Sequence, residues 1–112
     1  MKLISLSEEM GREPDEHLAP LLNAIREQLT GAGLEPMIMV RDNGEAANIF
    51  VKGDRRIGGI TIRTGMDGNR EGDTWRYYRA EDGTGQTVKF SKNPVDIMSY
   101  AVSRLAGRRG QV

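Results

Sequence analysis

Seven residues near the middle of the chain, Asp67-Gly68-Asn69-Arg70-Glu71-Gly72-Asp73, place side-chain oxygens at the first, third and fifth positions and a glycine at the sixth. Oxygen ligands at that spacing suit a hard cation such as calcium, and the glycine suits the sharp turn of such a loop. The pattern then stops. The twelfth position, where a bidentate glutamate would complete the coordination, is Tyr78, and the flanking residues have the patterning of strands, not helices. The segment therefore reads as a polar loop. His17 is the only histidine. No serine or cysteine nucleophile is implied beside it, so it reads as a surface residue of a first helical turn. The absence of cysteine excludes disulfides, thiolate metal sites and cysteine nucleophiles. Gly83-Thr84-Gly85-Gln86 and Gly65-Met66-Asp67-Gly68 lack the lysine and following helix of a phosphate loop. Their glycines read as turn residues. These residues predict no catalytic centre, no cofactor and no metal, and hence a chain that is not an enzyme.

The elements that would position any working surface are clearer. Leu18, Leu21, Leu22, Ile25 and Leu29 recur at spacings of three and four, the stripe of an amphipathic helix. Pro20 is tolerated only in a first turn, so this helix starts near His17 to Pro20, and Gly31 and Gly33 stop it. Beyond Gly33 the period changes to two. Met37 to Arg41 and Ala47 to Lys52 predict strands joined by Asp42-Asn43-Gly44-Glu45, whose Asn-Gly pair accepts positive φ. A turn at Gly53-Asp54 leads to a third strand over Arg55 to Thr64, in which Gly58-Gly59 predicts a bulge or a close backbone approach. A long polar loop is expected over Gly65 to Asp73. Thr74 to Ala80 and Gln86 to Ser91 predict the fourth and fifth strands around a turn at Glu81 to Gly85. Asn93 as cap, Pro94 at the first helical position and Asp96 in the first turn open a last helix, with Val95, Met98, Ala101, Val102 and Leu105 as its apolar stripe. Lys2 to Leu6 reads as a short strand or ordered arm, Ser7 to Pro14 as an acidic turn, and Arg108 to Val112 as a frayed tail.

Short connections of this kind suit antiparallel pairing. The expected fold is α+β, a two-layer sandwich: a five-stranded antiparallel meander with an N-terminal and a C-terminal helix packed on one face, over residues 1–112 as one domain. Leu22, Ile25, Leu29, Met98, Val102 and Leu105 should lie buried with Ile60 and Ile62.

Alternation along strands then divides the sheet. Ile38, Val40, Ile49, Val51, Ile60, Ile62, Trp75, Tyr77, Val88 and Phe90 are assigned to the helix-covered side. The open side would show Met37, Met39, Arg41, Asn48, Phe50, Lys52, Ile57, Thr61, Arg63, Arg76, Tyr78, Thr87 and Lys89. Cations mixed with Met, Phe and Tyr suit binding, because guanidinium offers five donors, aromatic rings give contact area and methionine adapts its shape. Met39, Phe50, Arg63, Arg76, Tyr78 and Lys89 are the candidate partner-binding residues.

At 112 residues, with 29% charged and 38% hydrophobic residues, the chain has the composition of a folded domain. No segment has the roughly 20 apolar residues of a membrane span, and Met1 to Met10 lacks a signal-peptide core. A complete, cytoplasmic protein is expected. Residues 1–48 hold four Lys/Arg and nine Asp/Glu, a net −5; residues 49–112 hold twelve and seven, a net +5. The halves either pair with each other or form an acidic and a basic face. The expected partner is another protein, for an adaptor, inhibitor or immunity-type module, with a second copy of the chain as another possible occupant of the face. Nucleic acid ranks behind. Arg55, Arg56, Arg63, Arg76, Arg79, Lys89 and Lys92 could meet phosphates while Phe50 and Tyr78 stack on bases, but the neutral net charge and pI near 6.6 are not those of a dedicated binder.

The order of elements is also that of frataxin-like domains and, shortened, of double-stranded-RNA-binding domains. Neither charge pattern is present. Met37 to Arg41 carries no acid where the first needs an acidic ridge, and Asp96 stands where the second needs a basic cluster.

Overall fold

The structure, a computed structural model, describes residues 13–53 and 59–107. Its elements are α1 (Ala19–Gly31), β1 (Pro36–Arg41), a 3-10 turn (Asp42–Gly44), β2 (Ala46–Val51), β3 (Ile60–Gly68), β4 (Thr74–Glu81), β5 (Thr87–Ser91) and α2 (Pro94–Gly107). The strands form one antiparallel sheet in the order β1-β2-β3-β4-β5. Both helices pack against each other on the same face of it. The expected two-layer α+β meander is thus the fold. Lys2 to Leu6, Arg55, Arg56, Ile57, Gly58 and the tail from Arg108 lie outside the described residues.

Local chemistry sets the helix ends. Asp15 accepts the backbone N–H of His17 on its side chain and those of Leu18 and Ala19 on its carbonyl, and Pro20 falls in the first turn. At the other end Gly33 has φ +82, its N–H donates to the Thr30 carbonyl and that of Leu34 to the Leu29 carbonyl. That is a Schellman closure, which needs the left-handed residue glycine provides. In α2 the Asn93 side chain accepts the Val95 N–H at 3.0 Å, and Ser91 Oγ ties Asp96 Oδ2 at 2.7 Å.

The β1–β2 turn takes positive φ at Asp42, Asn43 and Gly44. Gly44 is required for a second reason. A Cβ there would lie 2.9 Å from the Asp15 amide nitrogen and 3.0 Å from the Glu13 carbonyl oxygen, because residues 13–15 cross beneath the turn. The Asp15 N–H donates to the Gly44 carbonyl at that crossing.

Between the layers lie Leu18, Leu22, Ile25 and Leu29 of the α1 region, Ile49, Ile60 and Ile62 of the sheet, and Ile97, Ala101 and Leu105 of α2, all essentially without solvent contact. Burying each large aliphatic side chain contributes about 1.5–3 kcal/mol. The stripe of α2 is rotated from the expected one. Ile97 is fully buried, Met98 and Val102 only partly, and Val95 is exposed.

Two further departures concern β3 to β5. The expected loop over Gly65 to Asp73 is shorter than that, because its first four residues are strand and only 69–73 form the connection: β3 continues to Gly68, paired Gly65↔Tyr77, Met66↔Arg76, Asp67↔Trp75 and Gly68↔Thr74. Pairing of β2 with β3 ends at Ala46↔Arg63, and that of β4 with β5 at Tyr78↔Ser91. Residues 65–68 and 74–77 therefore form a two-stranded ribbon extending past its neighbours. Weak β-propensity in Gly65-Met66-Asp67-Gly68 concealed it, since the cross-strand partners supply the order. The second departure is the face of β4. Tyr78 is buried in the core at 8% exposure, opposite Thr64, and Ala80 is fully buried opposite Ile62. Trp75 and Tyr77 consequently lie on the open side, the reverse of the side expected for them above. The reason is charge. Turning Trp75 and Tyr77 inward would also turn Arg79 and Glu81 under the helices, and burying such groups there costs several kcal/mol.

Candidate functional site

On the open face the register places side chains in rows across the strands. One row is Met39–Asn48–Thr61–Glu81, the next Arg41–Ala46–Arg63–Arg79–Phe90, and Met37 faces Phe50 in a third. Met39 and Phe50 are 56% and 41% exposed. Between them and the β4–β5 turn lies an open groove of about 630 Å³, with Asn48 and Thr61 in its lining, Arg41 and Arg63 on one side and Gly83-Thr84-Gly85 at its end.

Polar groups of this face are held in place. Asn48 Oδ1 accepts from Arg41 Nη1 (3.1 Å) and Thr61 Oγ1 (2.8 Å). Arg63 donates to Asp42 Oδ2 at 2.8 Å and lies 3.4 Å from Glu81 Oε2 through Nε; Arg79 Nη2 is 2.9 Å from the same oxygen. Ala46, opposite Arg63, is fully buried although it belongs to this face, because its short side chain lets Arg63 lie across it towards Asp42. The hydrogen bond from Arg63 holds the Asp42 carboxyl below its ordinary range, and the same bond raises the Arg63 guanidinium. The Nε atoms of Arg63 and Arg79 are buried without a hydrogen-bond partner, so neither arginine is fully satisfied by Glu81.

Beside this lattice the Tyr77 and Phe90 rings stack at 5.4 Å between centroids. Tyr77 covers Gly65, where a Cβ would come 2.6 Å from the phenol oxygen. Lys92 Nζ sits 4.3 Å from the centre of the Trp75 ring. At the β4–β5 turn Asp82 Oδ1 accepts from Thr84 Oγ1 (2.6 Å) and from the Thr84 and Gln86 amides, which lower its pKa.

Of the candidate residues, Met39, Phe50 and Arg63 meet at the groove. Arg76, Tyr78 and Lys89 do not. Tyr78 is core, Arg76 shares its side of β4 and reaches Thr64 Oγ1 at 3.3 Å, and Lys89 stands opposite Ala80 on the helix side of the edge strand. Phe90 pairs with Arg79 and Lys89 with Ala80, so the face that β4 takes puts Phe90, which alternation assigned to the helix side, onto the open face; a register shift beyond Ala80 then pairs Glu81 with Thr87. Arg79 and Glu81 belong to the face and were not assigned to it. Their charge was the available signal, since a strand turns its charged alternate positions away from a core.

The 67–73 segment uses its oxygens to close the ribbon. Asn69 Oδ1 accepts the Glu71 and Asp73 amides at 3.1 and 3.0 Å, and Asp67 Oδ1 the Gly68 amide at 2.8 Å. Among the described residues no three His, Cys, Asp or Glu side chains are grouped to hold a metal ion, and no helix is long and apolar enough to cross a membrane. His17 is exposed, 3.6 Å from Glu16. No protein-family model, no curated protein and no solved structure matches this chain.

Proposed function

We propose that this chain is a non-enzymatic protein-binding module, of the adaptor, inhibitor or immunity type, whose working surface is the open face of its sheet. The observation that carries the reading is the groove in which Met39 and Phe50 stand exposed beside hydrogen-bonded Asn48, Thr61 and Arg63. Apolar side chains on a rigid polar floor give a partner area to desolvate and donors to satisfy, as in interface centres. A lack of cysteine suits work in the reducing cytoplasm. Nucleic acid is the second reading, favoured by the exposed Phe90 stacked on Tyr77. It is weakened because Arg63 and Arg79 are already engaged with Asp42 and Glu81.

The test is site-specific photocrosslinking in the native host, with the photoreactive residue at Phe50 or, as control, at exposed Ser103 of α2. A discrete protein adduct from Phe50 alone is expected, and the purified pair should stay associated near about 150 mM salt, where exposed charges are screened. A dimer of the chain itself as the sole adduct would make the face a self-association surface. Submicromolar binding of single-stranded RNA that falls steeply with salt would put the nucleic-acid reading first.

A further inference from the structure

The charged residues that line the groove, Arg41, Arg63, Glu81 and Asp82, balance in number but are unequally paired. Arg63 and Arg79 are engaged by Asp42 and Glu81, two cations with two carboxylates. Asp82 spends its carboxylate on its own turn and feels Arg104 of α2. Arg41 is left over. It is exposed, its guanidinium donates to the neutral side-chain carbonyl of Asn48, and no carboxylate among the described residues is within ion-pair distance of it. Asp42 lies close enough to feel its field but is hydrogen bonded to Arg63. Asn48 Oδ1 is filled by Arg41 and Thr61, so what Asn48 still offers is its side-chain N–H groups. The groove thus presents, at Arg41, a cation without an ion-pair partner among the described residues, and amide donors at Asn48. Two residues further along the same face of β2 stands Phe50, with Met37 opposite it and Met39 opposite Asn48.

Resting on the reading that this face binds protein, we infer that its occupant is an extended segment carrying an acidic and an apolar side chain two residues apart. Alternate residues of an extended chain point the same way and are spaced about 6.5 Å apart, the separation of positions 48 and 50 on β2. The carboxylate meets Arg41 and the Asn48 amide in charge-assisted hydrogen bonds. The apolar side chain covers Phe50 and the methionines, whose flexible thioethers adapt to its shape.

Selection of a random phage-displayed peptide library on the full chain tests this, followed by titration of enriched peptides against Arg41→Met, Arg41→Lys and Phe50→Ala. Arg41→Met keeps the aliphatic stem and removes the charge. Both positions are exposed, so the variants should match the wild type in circular dichroism and melting. Enrichment of Asp or Glu two residues from Leu, Ile, Phe or Met is expected. Affinity should fall about tenfold, the equivalent of about 1.4 kcal/mol, for Arg41→Met and for Phe50→Ala, with partial retention in Arg41→Lys. Peptides that lack acids, or that lose binding in Phe50→Ala but not in Arg41→Met, would overturn the inference and leave the protein-binding reading standing. No enrichment, or peptides indifferent to every one of these substitutions, would overturn both.

Discussion

Beneath the helices, Ile38, Val40, Ile49, Ile60 and Ile62 are buried; one residue along the same strands, Met37, Met39 and Phe50 stand in solvent beside Arg41, Asn48, Thr61 and Arg63. The helix side is held by contacts without direction, and large aliphatic groups fill it. The open side is held by directional bonds: Asn48 joins Arg41 to Thr61, and Glu81 joins Arg63 to Arg79. A surface organised by directional bonds keeps its shape without being covered, as a binding face requires. Substitutions beneath the helices should act on stability most strongly, those of the open-face bonding groups on stability more weakly, and those of exposed Met39 and Phe50 on stability least.

Adjacent tyrosines on β4 give the sharpest test. Tyr78→Ala should cost about 3–5 kcal/mol in urea unfolding, because it empties part of the core. Tyr77→Ala loses a ring stacked on Phe90 at the surface and should cost about 1 kcal/mol. Equal costs, or the reverse order, would mean that the face of β4 is wrongly placed. Next in size is Glu81→Ala. Removing a carboxylate shared by two partly buried arginines should cost about 1–3 kcal/mol, with Glu81→Gln recovering part of it. A loss below a few tenths would mean that the open face is not held by its charges.

The smallest effect concerns Asp42. Its pKa is lowered in the folded chain by the Arg63 hydrogen bond, so the bond stabilises the fold above the unfolded pKa of about 3.9 and is lost as pH falls through the lower folded value. The wild type should therefore melt higher than Asp42→Asn at neutral pH, and the gap should close as the pH falls below the unfolded value and through the lower folded one. A gap independent of pH would assign the effect to the turn rather than to the ion pair.

Much of this was readable one segment at a time. The Asn93 cap, the glycine closure after α1, the positive φ at Asn43 and Gly44, and the period-two runs of β1 and β2 depend on neighbours a few residues away, where local sterics and hydrogen bonding act. Met39, Phe50 and Arg63 of the candidate site were legible for that reason, lying on strands whose alternation is clean. Tertiary pairing decided the rest. Alternation along β4 allows two faces, and only its register against β3, with Ala80 opposite Ile62, selects the one that keeps Arg79 and Glu81 from beneath the helices, Glu81 being buried instead beside Arg63 and Arg79 on the open face. Pairing with β4, Phe90 opposite Arg79 and Lys89 opposite Ala80, puts Phe90 out and Lys89 on the helix side, and pairing alone makes a ribbon strand of Gly65 to Gly68. A side chain's identity sets its preference for water, but which of two faces meets water depends on what the neighbouring strand and the helices across the core have already filled.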